Sequence, residues 1–271
     1  MPEGVNGHSE FSHPPGNWHA AFLKLRWSLV RAMAPRRTIR SRGVRFSIQC
    51  DNWITYYRWL TYNSKEPETL QWIDRRVRDG DVLFDVGANI GLYSIYAAQR
   101  HPGLKVVAFE PEYSNLHLLR DNVVENGLKE RVDVYSLALS NHEGVGKLHV
   151  QDLTPGAALH TESNEPITQT LQETPVVLRE GIAVTTLDAF CRETGLQPTA
   201  IKLDVDGTEP QVLEGGLETL RSPAFRSLNI EIRGATMRQR CARWLREAGL
   251  RQEWADPTGE SSNEIWVRVQ G

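Results

Sequence analysis

Val82-Leu83-Phe84-Asp85-Val86-Gly87-Ala88-Asn89-Ile90-Gly91 reads as a short apolar strand that runs into a glycine-containing turn and then into a helix over 91–99. Such a turn lets a ligand approach backbone N–H groups and a helix N-terminus closely. Downstream, Lys105 to Phe109 reads as a second strand, Ser114 to Asn126 as a helix closed by Gly127 where a left-handed cap is wanted, and Val132 to Ala138 as a third strand. Upstream, Pro67 introduces a helix through Val77 that Gly80 ends. Alternating strands and helices with short links imply right-handed crossovers and a parallel sheet covered on both faces. The sequence therefore predicts an α/β domain of nucleotide-binding type.

Further along, Gly144 and Gly146 suggest the turn of a small hairpin leading into Lys147 to Val150. Residues 151–175, polar and interrupted by Pro155, Pro166 and Pro175, read as a long loop of the kind that serves as a lid. Ala200 to Val205 is expected as a buried strand, Pro210 to Leu220 as a helix, Leu228 to Ile232 as a strand, Thr236 to Ala248 as a helix and Glu264 to Val269 as a last, alternating strand. The N-terminal part divides into a polar tail, an amphipathic helix over Trp18–Met33 ended by Pro35, and a cap segment. This places a boundary between 1–65 and a catalytic domain over 66–271.

With 271 residues, 40% hydrophobic and 24% charged, the chain suits one globular catalytic domain with an extension. A net charge of −3 gives no general reason to expect nucleic acid as a partner. Eight basic residues and no acidic one lie between Lys24 and Arg45. The segment 18–45 could touch an anionic membrane surface, although a solvated helix face is the commoner use of such a run. Three widely spaced cysteines, Cys50, Cys191 and Cys241, fit neither a zinc site nor a disulfide framework. With no apolar run long enough to span a bilayer and no export signal, a cytoplasmic protein is expected, at most peripheral at the inner membrane face.

Glu110 stands nineteen residues past Gly91, at the end of the second strand, where an acid faces the ribose hydroxyls of a nucleoside ligand. A dinucleotide fingerprint would want glycine at 87, 89 and 92, but the chain has Gly87, Asn89 and Leu92. Asp85, just before the turn, would repel a pyrophosphate yet suits the ammonium of a methionine moiety. Asp85, Gly87, Ala88, Asn89, Gly91 and Glu110 are thus candidate cofactor contacts.

Phe84-Asp85-Val86-Gly87-Ala88-Asn89-Ile90-Gly91-Leu92-Tyr93-Ser94, Ala108-Phe109-Glu110-Pro111, Leu119 with Asn122 and Asn126, Ala138-Leu139-Ser140, and Ile201-Lys202-Leu203-Asp204-Val205-Asp206-Gly207-Thr208-Glu209 together resemble the FkbM family of class I methyltransferases, from about Glu66 to Glu231. The resemblance implies a Rossmann-like, mostly parallel seven-stranded sheet and S-adenosylmethionine as cofactor. It also implies O-methylation of a small-molecule or glycan hydroxyl, and adds Pro111, Ala138 and Asp204 to the cofactor contacts. Asp206 stands where the family more often has glutamate.

Methyl transfer to an alcohol needs alignment and removal of a proton. Asp204, at the carboxyl end of a central strand, is the first candidate acid near the methyl group, followed by Asp206 and Glu209. His160, in the long loop, is the histidine best placed to act as a base, whereas His117 and His142 read as structural or solvated. Asp204, Asp206 and Glu231 could alternatively hold a divalent cation such as Mg²⁺, while Glu209 and Glu231 could equally cap helices or pair with Arg233. The aromatic residues Trp53, Tyr56, Tyr57, Trp59 and Tyr62 suit a sugar face, but core packing is their commoner use. Two other functions fit the sequence: a nucleic-acid methyltransferase that uses the basic segment, and a non-catalytic cofactor-binding module.

Overall fold

The computed structural model describes residues 21–22, 25–26, 33, 35–158, 160–162, 176–258 and 261–269. It comprises two compact units, Met1–Pro35 and Arg36–Gly271, and the following concerns the second. Most of the expected helix over Trp18–Met33, and residues 163–175 of the long loop, lie outside the described residues. No helix among the described residues is long and apolar enough to cross a membrane.

The unit opens with an antiparallel hairpin, β1 (Arg36–Ser41) and β2 (Val44–Gln49), followed by helices α1 (Trp53–Lys65) and α2 (Pro67–Arg76). Then come β3 (Val82–Val86), α3 (Leu92–Arg100), β4 (Lys105–Phe109), α4 (Tyr113–Glu125) and β5 (Val132–Tyr135). A second group holds β6 (Ala138–Ser140), β7 (Gly144–Val150), β8 (Thr161–Glu162), β9 (Leu178–Thr186) and α5 (Leu187–Thr194). The chain closes with β10 (Ala200–Leu203), α6 (Glu209–Glu214), α7 (Leu217–Arg221), β11 (Ser227–Glu231), α8 (Ala235–Glu247), β12 (Leu250–Ala255) and β13 (Asn263–Arg268).

Seven strands form the central sheet in the order β12-β13-β11-β10-β3-β4-β5, with β13 antiparallel to both of its neighbours and the remaining pairs parallel. Because successive strand residues point to opposite faces, each strand feeds two cores. Leu83 and Val106 join Ile48, Trp72, Ile95 and Leu119 on one side. Phe84 and Phe109 join Phe190, Val212, Leu220 and Leu245 on the other. Chain order reverses between β3 and β10, which is where open α/β sheets bind ligands.

Several expectations change. The compact unit starts at Arg36, not at 66, because Ile39, Phe46, Ile48 and Tyr62 are buried in the first core. Half of the basic block is therefore a strand hairpin. Arg36 pairs with Glu125 (3.3 Å), Arg42 with Asp74 (2.6 Å), and the Arg37 guanidinium lies over the rings of Tyr56 and Trp59. The pair Gly144 and Gly146 makes no turn of its own. Both lie within β7, which pairs with the unforeseen β9 in a four-stranded sheet, β6-β9-β7-β8. The expected helix over 210–220 is two helices, broken where a Cβ on Gly215 would stand 2.1 Å from the Ser140 carbonyl oxygen.

Side chains tie the hairpin to the domain. Asn126 donates to Ser47 O (2.7 Å) and accepts from Ser47 N (2.9 Å), taking the place of a neighbouring strand. Asn122 accepts from Gln49 N (2.9 Å) and donates to Ile90 O (3.0 Å) in the glycine turn. On the opposite edge, Trp59 and Asn63 of α1 donate to the carbonyls of Thr38 and Arg40 (3.0 and 3.2 Å). Asn122 is fully buried, so Asn122→Ala leaves a strand N–H and a turn carbonyl without partners. Urea unfolding is expected to show a loss of about 2 kcal/mol or more. A loss below about 0.5 kcal/mol, the size of an ordinary surface change, would contradict this role.

Candidate active site

The turn after β3 is shaped by close approach. Gly87 has φ +78°, and a Cβ there would stand 1.8 Å from the carbonyl oxygen of Asp204, so only glycine lets the ends of β3 and β10 meet. Its N–H and that of Ala88 both donate to Phe109 O (3.0 Å each), which binds the turn to the end of β4. Asn89 takes a left-handed backbone (φ +51°) and spends its side chain locally. Its Oδ1 accepts from Ile90 N (2.9 Å), and its Nδ2 donates to Ala157 O (2.7 Å).

Two cavities meet at this turn. The larger contains Glu110, Pro111, Leu137, Ala138 and Leu139 on one side, and His160, Asp204, Asp206, Glu231 and Arg233 elsewhere on its wall. The smaller lies beside Ala88, Ile90, Leu92 and Tyr93. Both share Arg58, Lys65, Gly87, Asn89 and Asp204. Glu110 is buried, with Oε2 accepting from Asn89 N (2.8 Å) and Oε1 from Glu112 N (2.9 Å). Burial pushes its pKa up to about 8 in spite of those two bonds.

Asp204 and Glu231 end adjacent strands and share a hydrogen bond. Burial opposes charge on Asp204, but Lys202 and the Glu231 hydrogen bond hold it well below the usual carboxylate range. Glu231 moves the other way, up to about 8, through burial and the Asp204 charge. The pair thus carries one proton at neutral pH, on Glu231. Glu231 also pairs with Arg233 (2.9 Å), whose guanidinium stands 4.0 Å from Asp206. His160 is mostly buried, and neither ring nitrogen has a partner among the described residues. Burial lowers its pKa, which leaves the ring neutral at pH 7.

Gly87, Asn89, Glu110, Pro111, Ala138, His160, Asp204, Asp206 and Glu231 therefore share one cavity wall, with Ala88 on the neighbouring one. Asp85, Gly91 and Glu209 do not reach either wall. Asp85 sits behind the turn, accepting from Ser94 Oγ (2.6 Å) with Lys202 Nζ at 3.8 Å, so the ammonium it meets is the chain's own. Gly91 makes room for α4, since a Cβ there would stand 2.4 Å from Leu119 Cδ1. Glu209 accepts from Val205 N (3.2 Å) and Gly207 N (3.1 Å), and so folds the turn after β10. Among the described residues no three His, Cys, Asp or Glu side chains gather as a metal would require, and Asp206 faces Arg233. The exposed His117 lies 3.9 Å from Asp121, and His142 lies 3.9 Å from the buried Glu162. Of the aromatic group, Tyr62 is core and Tyr57 lines an adjoining cavity with Arg58 and Gln151.

Sequence reasoning missed Lys202, Arg58 and Lys65. Lys202 is buried with Nζ 3.4 Å from Asp204, 3.8 Å from Asp85 and 5.3 Å above the Tyr93 ring. Its signal was visible, a lone lysine inside an apolar strand.

Residues 85–251 match the family model described as the methyltransferase FkbM domain. The 31-O-demethyl-FK506 methyltransferase FkbM of Streptomyces tacrolimicus is 32% identical over 176 residues, covering 58% of this chain and 66% of that protein. The 2-O-methyltransferase NoeI of Sinorhizobium fredii (strain NBRC 101917 / NGR234) is 31% identical over 151 residues, 53% of this chain and 60% of that protein. The chain thus spans under two thirds of the length of these relatives. Among solved structures, methyltransferase FkbM from Methylobacillus flagellatus KT superposes with a TM-score of 0.50 at 16% identity, over 79% of this chain and 53% of that one. Aeropyrum pernix fibrillarin, crystallised with natively bound S-adenosyl-L-methionine, gives 0.50 at 13%, over 86% and 82%. The fold is that of Rossmann-like class I methyltransferases.

Glu110, Glu209 and Glu231 hold protons in the fold that they lose on unfolding, with pKa values near 8, 7 and 8 against an ordinary 4.5. Native protein then binds more protons than unfolded chain, so stability falls as pH rises through the folded values. His160 opposes this only below its ordinary 6.5. Stability of the ligand-free protein is therefore expected to drop by about 2 kcal/mol or more between pH 6.5 and 8.5. Urea titrations that gave a flat or rising profile over that window would refute the protonated state of these carboxyls.

Proposed function

The chain belongs to the FkbM methyltransferase family, and we propose that it uses S-adenosylmethionine to O-methylate a hydroxyl of a saccharide, glycolipid or secondary metabolite. The observation that carries the cofactor is Glu110. A buried carboxyl, fixed by two backbone N–H bonds at the end of β4 and facing a cavity floored by Pro111, Leu137 and Leu139, suits a ribose diol beneath a flat apolar base. The continuation of that cavity past Gly87 into the smaller one matches a ligand longer than a nucleoside. The hydroxyl acceptor is supported by the names of the relatives, one a 31-O- and the other a 2-O-methyltransferase.

When bound, the donor supplies an electrophilic methyl on a positively charged sulfur. The protein must align a hydroxyl with it, exclude water and take up one proton. Asp204 lines both cavities and stays ionised, which suits it to lie near positive charge and to receive a hydrogen bond from the acceptor hydroxyl. His160, neutral and without a partner among the described residues, is the second candidate to take the proton. Asp206 and Arg233 complete the wall as a charged pair. Proton transfer is assigned to these groups, and the EDTA experiment below tests a version assisted by a divalent cation.

Calorimetry is expected to show S-adenosylmethionine binding that Glu110→Ala weakens by about 1–3 kcal/mol, and no NADH binding. Tight NADH binding, or an unaltered Glu110→Ala, would overturn the cofactor. With an acceptor found by screening extracts for a product heavier by one CH₂, Asp204→Asn is expected to bind donor yet lose about a hundredfold in turnover. EDTA should leave wild-type turnover intact. Full activity of Asp204→Asn in EDTA would transfer the proton to His160, and a loss in EDTA restored by Mg²⁺ would reinstate the metal.

A further inference from the structure

Helix α1 precedes the segment that matches the family, yet it forms a wall of both cavities. Arg58, Thr61, Tyr62 and Lys65 are spaced by three, one and three, so they lie along one helical face, and all four line the smaller cavity. The helix is firmly placed. Asn52 caps its first turn through a reciprocal pair with Thr55, Trp59 bonds to β1, and Tyr62 is buried among Phe46, Tyr93 and Tyr96.

Among the charges around that cavity, Arg58 is set apart. Lys202 is held between Asp85 and Asp204. Lys65 has Glu66 at 3.0 Å while its side chain stays half exposed. Arg58 donates Nε to a neutral carbonyl, Gly156 O (2.6 Å), and forms no ion pair among the described residues. Fixing Nε orients the guanidinium plane and leaves its Nη donors for a ligand. A planar fork with a flexible ammonium seven residues on, beside the turn that receives the donor, is a carboxylate site.

We propose that Arg58 and Lys65 bind the carboxylate of the donor's amino-acid end in the smaller cavity, so that α1, outside the family segment, completes the donor site. This rests on the donor being S-adenosylmethionine and adds which residues read its far end. Glu110, in the larger cavity, would read the ribose. Adenosyl compounds without the carboxylate should then bind by the nucleoside end alone.

The test compares S-adenosylmethionine with decarboxylated S-adenosylmethionine, which keeps the sulfonium and the ammonium, by calorimetry. Wild-type protein is expected to prefer the carboxylate form by about ten- to a hundredfold, the usual size of a charge-assisted contact. In Arg58→Met/Lys65→Met that preference should collapse, because S-adenosylmethionine weakens while the decarboxylated compound binds unchanged or more tightly. Retained preference, or equal weakening of both ligands, overturns the clamp. If the double variant binds neither ligand, Lys65→Met, which breaks the pair with Glu66 but keeps the Arg58 bond to Gly156, decides: several-fold weaker binding of S-adenosylmethionine alone supports the clamp, and none refutes it. Failure of wild-type protein to bind either compound would instead remove the donor itself.

Discussion

Two strand ends approach so closely that no side chain fits between them: a Cβ on Gly87 would stand 1.8 Å from the Asp204 carbonyl oxygen. That contact sets the site. Glu110, at the end of β4, is bound through Asn89 N to the same turn, and Asp204 leaves β10 directly beside it. The two carboxyl groups proposed to meet the ribose and the acceptor are therefore positioned from one glycine, with Asn122 anchoring the turn from behind through Ile90 O.

The second requirement is charge. Five ionisable side chains, Asp85, Lys202, Asp204, Glu231 and Arg233, run from the core to the cavity as a linked series. Buried ions are costly unless each meets a partner, and their arrangement specifies geometry more than it adds stability. Here the buried Lys202 ammonium, with Tyr93 beneath it, keeps Asp204 ionised while Glu231 keeps the proton. The result is a cavity wall on which the ionised Asp204 stands with the cations Arg58, Lys65 and Arg233.

Much of this was legible in residues that obey one rule at a time. β3 and β4 were bounded correctly because short, mainly apolar runs close to glycine or proline have few alternatives. Glu110 lies on the larger cavity's wall, the side of the turn its spacing suggested. The first hairpin was obscured because Arg36, Arg37, Arg40, Arg42 and Arg45 dominate its composition, although Ile39, Val44, Phe46 and Ile48 alternate to the core. β9 alternates weakly, with Glu180, Ile182 and Val184 less exposed than Arg179, Gly181 and Ala183, and its charged residues and glycine mask that period in the sequence. Asp85 and Glu209 show a different limit. A carboxylate beside a glycine turn looks the same in sequence whether it meets a ligand or the chain's own Lys202 and backbone N–H groups, and only packing distinguishes the two.

The hairpin's side-chain ties have a consequence for the protein's behaviour in concentrated solution. A two-stranded ribbon ordinarily presents two open rows of N–H and C=O groups, each a template on which another chain can polymerise. Here Asn122 and Asn126 cover one row and Trp59 and Asn63 the other, from two different helices. These side chains act as dead ends for β-addition. The protein gains resistance to edge-to-edge aggregation from the same residues that hold its N-terminal ribbon over the catalytic sheet.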